Sequence, residues 1–124
     1  MNNLEICEAL FSAFQDGDEE KVRSLCAPDL QGWQNDNPPM TLDKLVRFSM
    51  AVVDVVDNFR YEEAKRSATT TGFVEEHSVR GTLPDGSELD MRICVVADVQ
   101  NGKVQELREY LDANAASGLI KALS

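Results

Sequence analysis

The segment from residue 73 to residue 112 constrains the fold more than any other part of the chain. Two turn sequences interrupt it, Pro84-Asp85-Gly86-Ser87 and Gln100-Asn101-Gly102-Lys103. Asp-Gly and Asn-Gly pairs supply the positive φ angles that tight hairpins need, so the segment is predicted to form three consecutive antiparallel strands. A meander needs helices over one face, which predicts an α+β fold with a pocket between the two layers.

The N-terminal half is predicted to supply those helices. Apolar residues recur at three- and four-residue spacing in three segments before residue 57, as they do on one face of a helix. Asn2 or Asn3 can start the first helix, Asp18 the second and Thr41 the third, because their side chains accept hydrogen bonds from the first backbone N–H groups. A more polar strand is predicted from about residue 58 to residue 70.

Length and charge exclude several classes of function. The 124 residues fit one domain, residues 1–124. The net charge of −10 repels phosphate backbones and anionic lipids, so neither nucleic acid nor a membrane surface is an expected partner. The N-terminus has no basic start of a secretion signal, which predicts a cytoplasmic protein. With one histidine and three scattered cysteines, no metal site is predicted. The sequence contains no glycine-rich phosphate loop, and no cofactor is predicted.

The strand that begins at Glu88 shows which side of the sheet faces the core. Its apolar residues alternate with mostly polar ones, and they are Leu89, Met91, Ile93, Val95, Ala97 and Val99. On the last strand Glu109 shares a face with Leu107 and Leu111, which predicts a carboxylate among core leucines. Such a carboxylate is hydrogen-bonded, raised in pKa or lining a cavity. Pairing with an arginine or exposure at the sheet edge is the structural alternative.

The second hairpin decides whether Glu109 faces inward. A strict two-residue loop would pair Ile93 with Tyr110 and turn Glu109 outward. A three-residue loop with a bulge at Gly102 places Ile93 opposite Glu109 and Val95 opposite Leu107. The bulged version agrees with the apolar pattern and is the prediction.

The first hairpin leaves two alternatives open. A two-residue loop at Asp85-Gly86 turns Glu76, Ser78 and Arg80 inward. A three-residue loop turns His77 inward instead. Both sets are therefore candidates for the pocket wall.

Three short stretches, in this order and spacing, resemble a known superfamily. They are Trp33-Gln34-Asn35 with the prolines that follow, Leu83-Pro84-Asp85-Gly86, and Arg108-Glu109-Tyr110-Leu111-Asp112. The chain is similar over its whole length to the nuclear transport factor 2-like superfamily, in its branch of SnoaL-like polyketide cyclases and limonene epoxide hydrolases. The resemblance implies a cone-shaped barrel in which three N-terminal helices pack on a strongly curved, mostly antiparallel sheet.

The resemblance also implies roles for individual residues. Glu109 falls where the family often has its catalytic carboxylate, and Trp33 and Asn35 fall where the epoxide hydrolases keep a water-positioning Tyr and Asn. Glu76 and Ser78 stand where those enzymes have an Arg and an Asp, so that constellation is broken. Members commonly form homodimers through the outer sheet face.

These observations predict a pocket for a small apolar molecule, with acid–base chemistry of an isomerase, cyclase or hydrolase. The predicted catalytic residues are Glu109 and His77. The predicted pocket residues are Trp33, Asn35, Glu76, Ser78, Met91, Ile93 and Leu107. The alternative hypothesis is a non-catalytic ligand-binding or dimerisation module.

Overall fold

Four helices and six strands make up the protein in a computed structural model that describes residues 1–124. The helices are α1 (Asn3–Asp16), α2 (Glu19–Leu25), α3 (Leu42–Val55) and α4 (Ala113–Leu123). The strands are β1 (Cys26–Gln34), β2 (Met40–Thr41), β3 (Asp57–Ala68), β4 (Gly72–Thr82), β5 (Glu88–Gln100) and β6 (Lys103–Leu111).

All six strands belong to one sheet, in the order β2-β1-β6-β5-β4-β3. Strands β1 and β6 run parallel, and every other neighbouring pair is antiparallel. The helices pack on the inner face of this sheet, where a single cluster of 27 buried apolar residues forms the core. The α+β cone fold predicted from the sequence is confirmed, with a mostly antiparallel sheet.

The first three helices begin where their capping residues predicted. The side chains of Asn2, Asp18 and Thr41 each accept a hydrogen bond from a backbone N–H in the first turn of α1, α2 and α3, respectively. Such caps satisfy donors that have no partner inside the helix. No helix is long and apolar enough to cross a bilayer.

The C-terminal helix α4 was not predicted from the sequence. Asp112 caps it by accepting a hydrogen bond from the Asn114 N–H at 2.9 Å. Ala116 and Leu119 are buried, and the helix contacts α3 and β5. Helix α4 therefore completes the helical layer on a side that the first three helices leave uncovered.

The hairpin between β4 and β5 has the three-residue loop. The Leu83 N–H donates to the Ser87 carbonyl at 2.8 Å, and Gly86 has a φ of 86°. His77 consequently lies opposite Ile93 and faces inward. Glu76 and Ser78 occupy the outer face, so the alternative that turned them inward is wrong.

The hairpin between β5 and β6 corrects a predicted register. Its loop is a strict two-residue turn, because Gln100 pairs with Lys103 and both loop residues have positive φ. The extra residue lies inside β6 instead: Gln105 is left unpaired between consecutive partners of β5. This bulge restores the inward direction of the strand residues beyond it.

The pairs across this hairpin are displaced by two residues from the predicted ones. Glu109 lies opposite Val95, and Leu107 lies opposite Ala97. The predicted pairs of Ile93 with Glu109 and Val95 with Leu107 are wrong. Glu109 nevertheless points to the inner face of the sheet, as the apolar alternation required.

Candidate active site

A cavity of about 90 Å³ lies between the inner face of the sheet and helices α1, α3 and α4. Fifteen of its nineteen lining residues are hydrophobic, so the few polar groups define its chemistry. Those groups are Gln34 on β1, Ser49 on α3, His77 on β4 and Glu109 on β6, together with the hydroxyl of Tyr61 on β3. The cavity is continuous with solvent beside Ile120, which is 50% exposed.

Glu109 is the carboxylate in this cavity. Part of its surface is reached through the cavity, but protein atoms enclose the carboxyl group. Loss of hydration raises the pKa of Glu109 above its ordinary value. A hydrogen bond from the Gln34 amide at 3.3 Å and the nearby His77 act in the opposite direction without cancelling the effect. Glu109 is therefore suited to hold and release a proton closer to neutral pH than a solvated glutamate.

His77 is the second titratable group on the cavity wall, and it is tied to a buried carboxylate. Its Nδ1 lies 2.6 Å from Oε2 of Glu75, and the Nε of Arg66 donates to Oε1 of the same residue at 2.6 Å. Glu75 is 0% exposed and His77 is 1% exposed. Burial alone would raise the pKa of Glu75, but the hydrogen bonds from His77 and Arg66 outweigh it and hold this pKa below its ordinary value. Glu75 is thus an ionised partner for His77.

Aromatic rings fix the plane of His77. The ring of Tyr61 lies 4.4 Å from the imidazole, centroid to centroid, and Phe11 meets it edge-on at 5.0 Å. The Tyr61 hydroxyl makes no hydrogen bond within the chain and yet is not a buried unsatisfied atom, so it is accessible in the cavity that Tyr61 lines. Burial and the charges of Glu109 and Glu75 raise the pKa of Tyr61 well above its ordinary value. The phenol accordingly remains a hydrogen-bond donor.

Four of the nine predicted site residues line the cavity. They are Glu109, His77, Met91 and Ile93. Leu107 faces inward but is buried in the core at 1% exposure and does not line the cavity. Its predicted place in the pocket wall is therefore wrong, because the bulge at Gln105 places it opposite Ala97, deeper in the sheet.

Trp33 and Asn35 are also corrections. Trp33 pairs with Arg108 on β6, and its neighbour Gln34 is the residue of β1 that lines the cavity. The Asn35 amide donates to the Leu111 carbonyl and accepts from the Leu111 N–H, both at 3.0 Å. Asn35 therefore fastens the end of β1 to the strand that carries Glu109 instead of lining the cavity.

Glu76 and Ser78 lie outside the cavity, on the outer face of the sheet. Glu76 is exposed, and the Ser78 hydroxyl contacts Glu63 and Arg92 there. Their predicted places in the pocket are wrong for the same reason as the rejected hairpin alternative. The inward residues of β4 at this level are Glu75 and His77.

Sequence reasoning missed Glu75, Arg66, Tyr61 and Gln34. Glu75 could have been found, because any register that turns His77 inward also turns the residue two positions earlier inward. Arg66 and Tyr61 lie on β3, whose register shifts twice against β4, so alternation does not show which residues approach His77. No group of three or more histidine, cysteine, aspartate or glutamate side chains converges as a metal ligand set would.

Several solved structures share this fold. A proposed polyketide cyclase from Xanthomonas campestris superimposes with a TM-score of 0.81 at 18% identity, covering 98% of this chain and 96% of its own. An epoxide hydrolase of the limonene epoxide hydrolase type from Mycobacterium tuberculosis gives 0.76 at 18% identity, covering 96% and 90%. A protein with a ketosteroid isomerase-like fold from Catenulispora acidiphila, solved with trimethylamine, gives 0.79 at 13%, covering 98% and 94%.

The sequence itself identifies the family. The family model of the SnoaL-like domain matches residues 7–107, which is most of the chain. This protein therefore belongs to the SnoaL-like domain family, and its structure has the nuclear transport factor 2-like fold of its structural neighbours. No curated protein matches it significantly in sequence. At these low identities the structural neighbours show that the fold is shared, and the fold alone does not define the reaction.

Proposed function

We propose that this protein is an acid–base enzyme that acts on a small, mainly apolar molecule with a carbonyl group, in an isomerisation or cyclisation. The single observation that supports this function is the presence of two titratable side chains, Glu109 and His77, on the wall of one apolar cavity. A binding cavity alone does not require either group. Two proton-transfer groups on one guest are what an enolisation requires.

The chemistry needs a base at carbon and a donor at oxygen. One group removes a proton from the carbon beside the carbonyl, so the C–H bond breaks and its electron pair forms the enol double bond. The other group gives its proton to the carbonyl oxygen. Return of a proton at a different carbon, or attack of that carbon on a second carbonyl, completes an isomerisation or a ring closure with no net gain or loss of protons. Glu109 and His77 together hold the protons that this sequence requires.

Tyr61 is suited to assist at oxygen. Its hydroxyl is accessible in the cavity, remains protonated, and belongs to a ring packed against His77. A fixed donor aimed at a developing oxyanion in a water-poor site stabilises it more than water does. Trp33, although a predicted pocket residue, does not line the cavity and is not available for this role.

Cavity size limits the substrate. Its volume of about 90 Å³ is smaller than the roughly 150 Å³ apolar cavity that accommodates benzene. A guest with one ring would extend toward the open side at Ile120. Single-ring or short-chain ketones are therefore the proposed substrate class.

The experiment measures exchange of α-protons for deuterium in D₂O by NMR, with a six-membered cyclic ketone and its β,γ-unsaturated analogue as probes. Wild-type protein is expected to accelerate the exchange, and Glu109→Gln to reduce the acceleration about 10²- to 10⁴-fold with the fold retained. Glu76→Gln is the matched control, because Glu76 lies on the outer face, and it should exchange at the wild-type rate. Equal rates for wild-type protein and buffer would refute the enzyme.

A second candidate function is a non-catalytic ligand-binding module. The predominance of hydrophobic lining residues favours it, because they provide affinity without chemistry. The same experiment separates the two functions. Saturation transfer from the protein to the ketone without any deuterium incorporation would establish binding and eliminate the reaction.

A further inference from the structure

A chain of hydrogen bonds runs from the edge strand of the sheet to the cavity. Its outer member is Arg66 on β3, whose side chain is 29% exposed. Its middle member is the fully buried Glu75, and its inner member is His77. Both carboxylate oxygens of Glu75 are used, one by Arg66 and one by His77. These hydrogen bonds orient His77 on the cavity wall through residues that lie outside the cavity.

Chemistry sets the direction of every bond in this chain. A guanidinium has only donors, so Oε1 of Glu75 accepts from Arg66. An ionised carboxylate has only acceptors, so Oε2 accepts from the imidazole, and Nδ1 of His77 must carry a hydrogen. In the neutral ring the other nitrogen, Nε2, is then a bare acceptor.

We propose that Arg66 and Glu75 are positioning residues that hold His77 in its Nδ1–H tautomer, so that the lone pair of Nε2 serves as the base of the site. The inference rests on the proposed function, within which it assigns His77 as the proton acceptor and leaves Glu109 as the donor. A neutral histidine with the opposite tautomer presents a hydrogen to the cavity and cannot remove a proton. Fixing the tautomer therefore decides whether His77 can act as a base at all.

The surroundings of His77 offer no second partner for Nδ1. Strand β5 presents the apolar Ile93 opposite the ring. Helix α1 presents Phe11 to the ring, and its Cys7 thiol contacts Oε1 of Glu75 at 3.5 Å. The other titratable groups facing the ring are Tyr61 on β3 and Glu109 on β6. Glu75 is the group within hydrogen-bond distance of Nδ1, so it sets the tautomer.

The test uses the fact that the chain contains a single histidine. Nitrogen-15 NMR of histidine-labelled protein distinguishes a protonated from a bare ring nitrogen, and here every histidine resonance belongs to His77. On the alkaline plateau of the spectra, wild-type protein is expected to show a protonated Nδ1 and a bare Nε2. A wild-type spectrum with the hydrogen on Nε2 would overturn the proposal without any variant.

Glu75→Gln is expected to reverse the tautomer. Arg66 has only donors and would keep the oxygen of the new amide, so the NH₂ group would face His77 and turn Nδ1 into an acceptor. Deuterium exchange of the ketone should then fall about 10²-fold or more. An unchanged tautomer in this variant, with its fold verified by circular dichroism, would refute the positioning role.

The double variant Arg66→Met/Glu75→Gln is the decisive rescue. Without the guanidinium the amide is free to turn its oxygen to His77, so the Nδ1–H resonance should return in part, and some exchange activity with it. If Arg66 and Glu75 served stability alone, the double variant would lose more exchange activity than Glu75→Gln. Arg60→Met/Glu62→Gln, which removes a more exposed ion pair from β3, should leave spectrum and activity as in the wild type. If wild-type protein catalyses no exchange but the tautomers follow this pattern, the proposed function fails while the positioning role stands.

Discussion

Replacing Glu109 with glutamine should stabilise the protein, and more so as the pH rises. The cavity raises the pKa of Glu109 in the folded state, chiefly by burial. Below the pKa of the unfolded chain the carboxyl is protonated in both states and folding is not penalised. Between the unfolded and the folded pKa only the unfolded state gives up its proton, so the wild-type protein loses stability as the pH increases. A glutamine does not titrate and avoids this loss.

The size of the effect follows from the contacts of Glu109. Each unit by which folding raises the pKa corresponds to about 1.4 kcal/mol. Within the chain the carboxyl accepts a single side-chain hydrogen bond, from Gln34 at a long 3.3 Å, so little offsets the desolvation. We therefore expect a gain in unfolding free energy at pH 8 of about 1.4 kcal/mol for each unit by which folding raises this pKa, and a gain near zero at about pH 4. For a domain of this size each kcal/mol of gain is roughly a 4 °C increase in Tm.

Urea unfolding at a series of pH values measures this gain as the difference between variant and wild type. Taking the difference removes the contributions of other groups, including Glu75, whose lowered pKa gives the opposite slope: its stabilisation is lost as the pH falls through its folded-state value. Glu76→Gln serves as the control and should show no pH-dependent difference. A flat difference for Glu109→Gln, or a variant less stable than wild type at pH 8, would refute the raised pKa of the buried carboxyl.

Two further predictions concern the C-terminal helix and the outer face. Asp112→Ala removes the cap of α4 and should lower the unfolding free energy by about 1 kcal/mol. Amide hydrogen exchange should become faster in α4 but not in β4 and β5, and equal acceleration everywhere would contradict a local role of the cap. The homodimer stays a prediction: Tyr110 is 49% exposed, and Val96 lies on the same outer face, opposite Arg108. Light scattering should therefore give a dimer for wild type and a monomer for Val96→Glu, whereas a monomeric wild type would eliminate the dimer.

Local sequence patterns determined the elements of this fold. Caps at Asn2, Asp18 and Thr41, and the loop sequences of both hairpins, act over a few residues and need no partner elsewhere in the chain. Alternation along β5 likewise identified the face that meets the helices. The helix α4 was missed, although Asp112 stood at its start. The caps, the hairpin loop sequences and the strand alternation predicted the three N-terminal helices, the meander and an inward Glu109.

Only the tertiary structure decided what surrounds Glu109. Its partner on β5 depends on the bulge at Gln105, and alternation within a single strand does not locate an inserted residue. The buried Glu75 is stable only because both of its oxygens are satisfied, one by His77 on its own strand and the other by Arg66, which the register between β3 and β4 places beside it. Patterns of period two assign a side chain to a face, whereas the partners of a buried charge depend on the register between strands, which long-range packing sets.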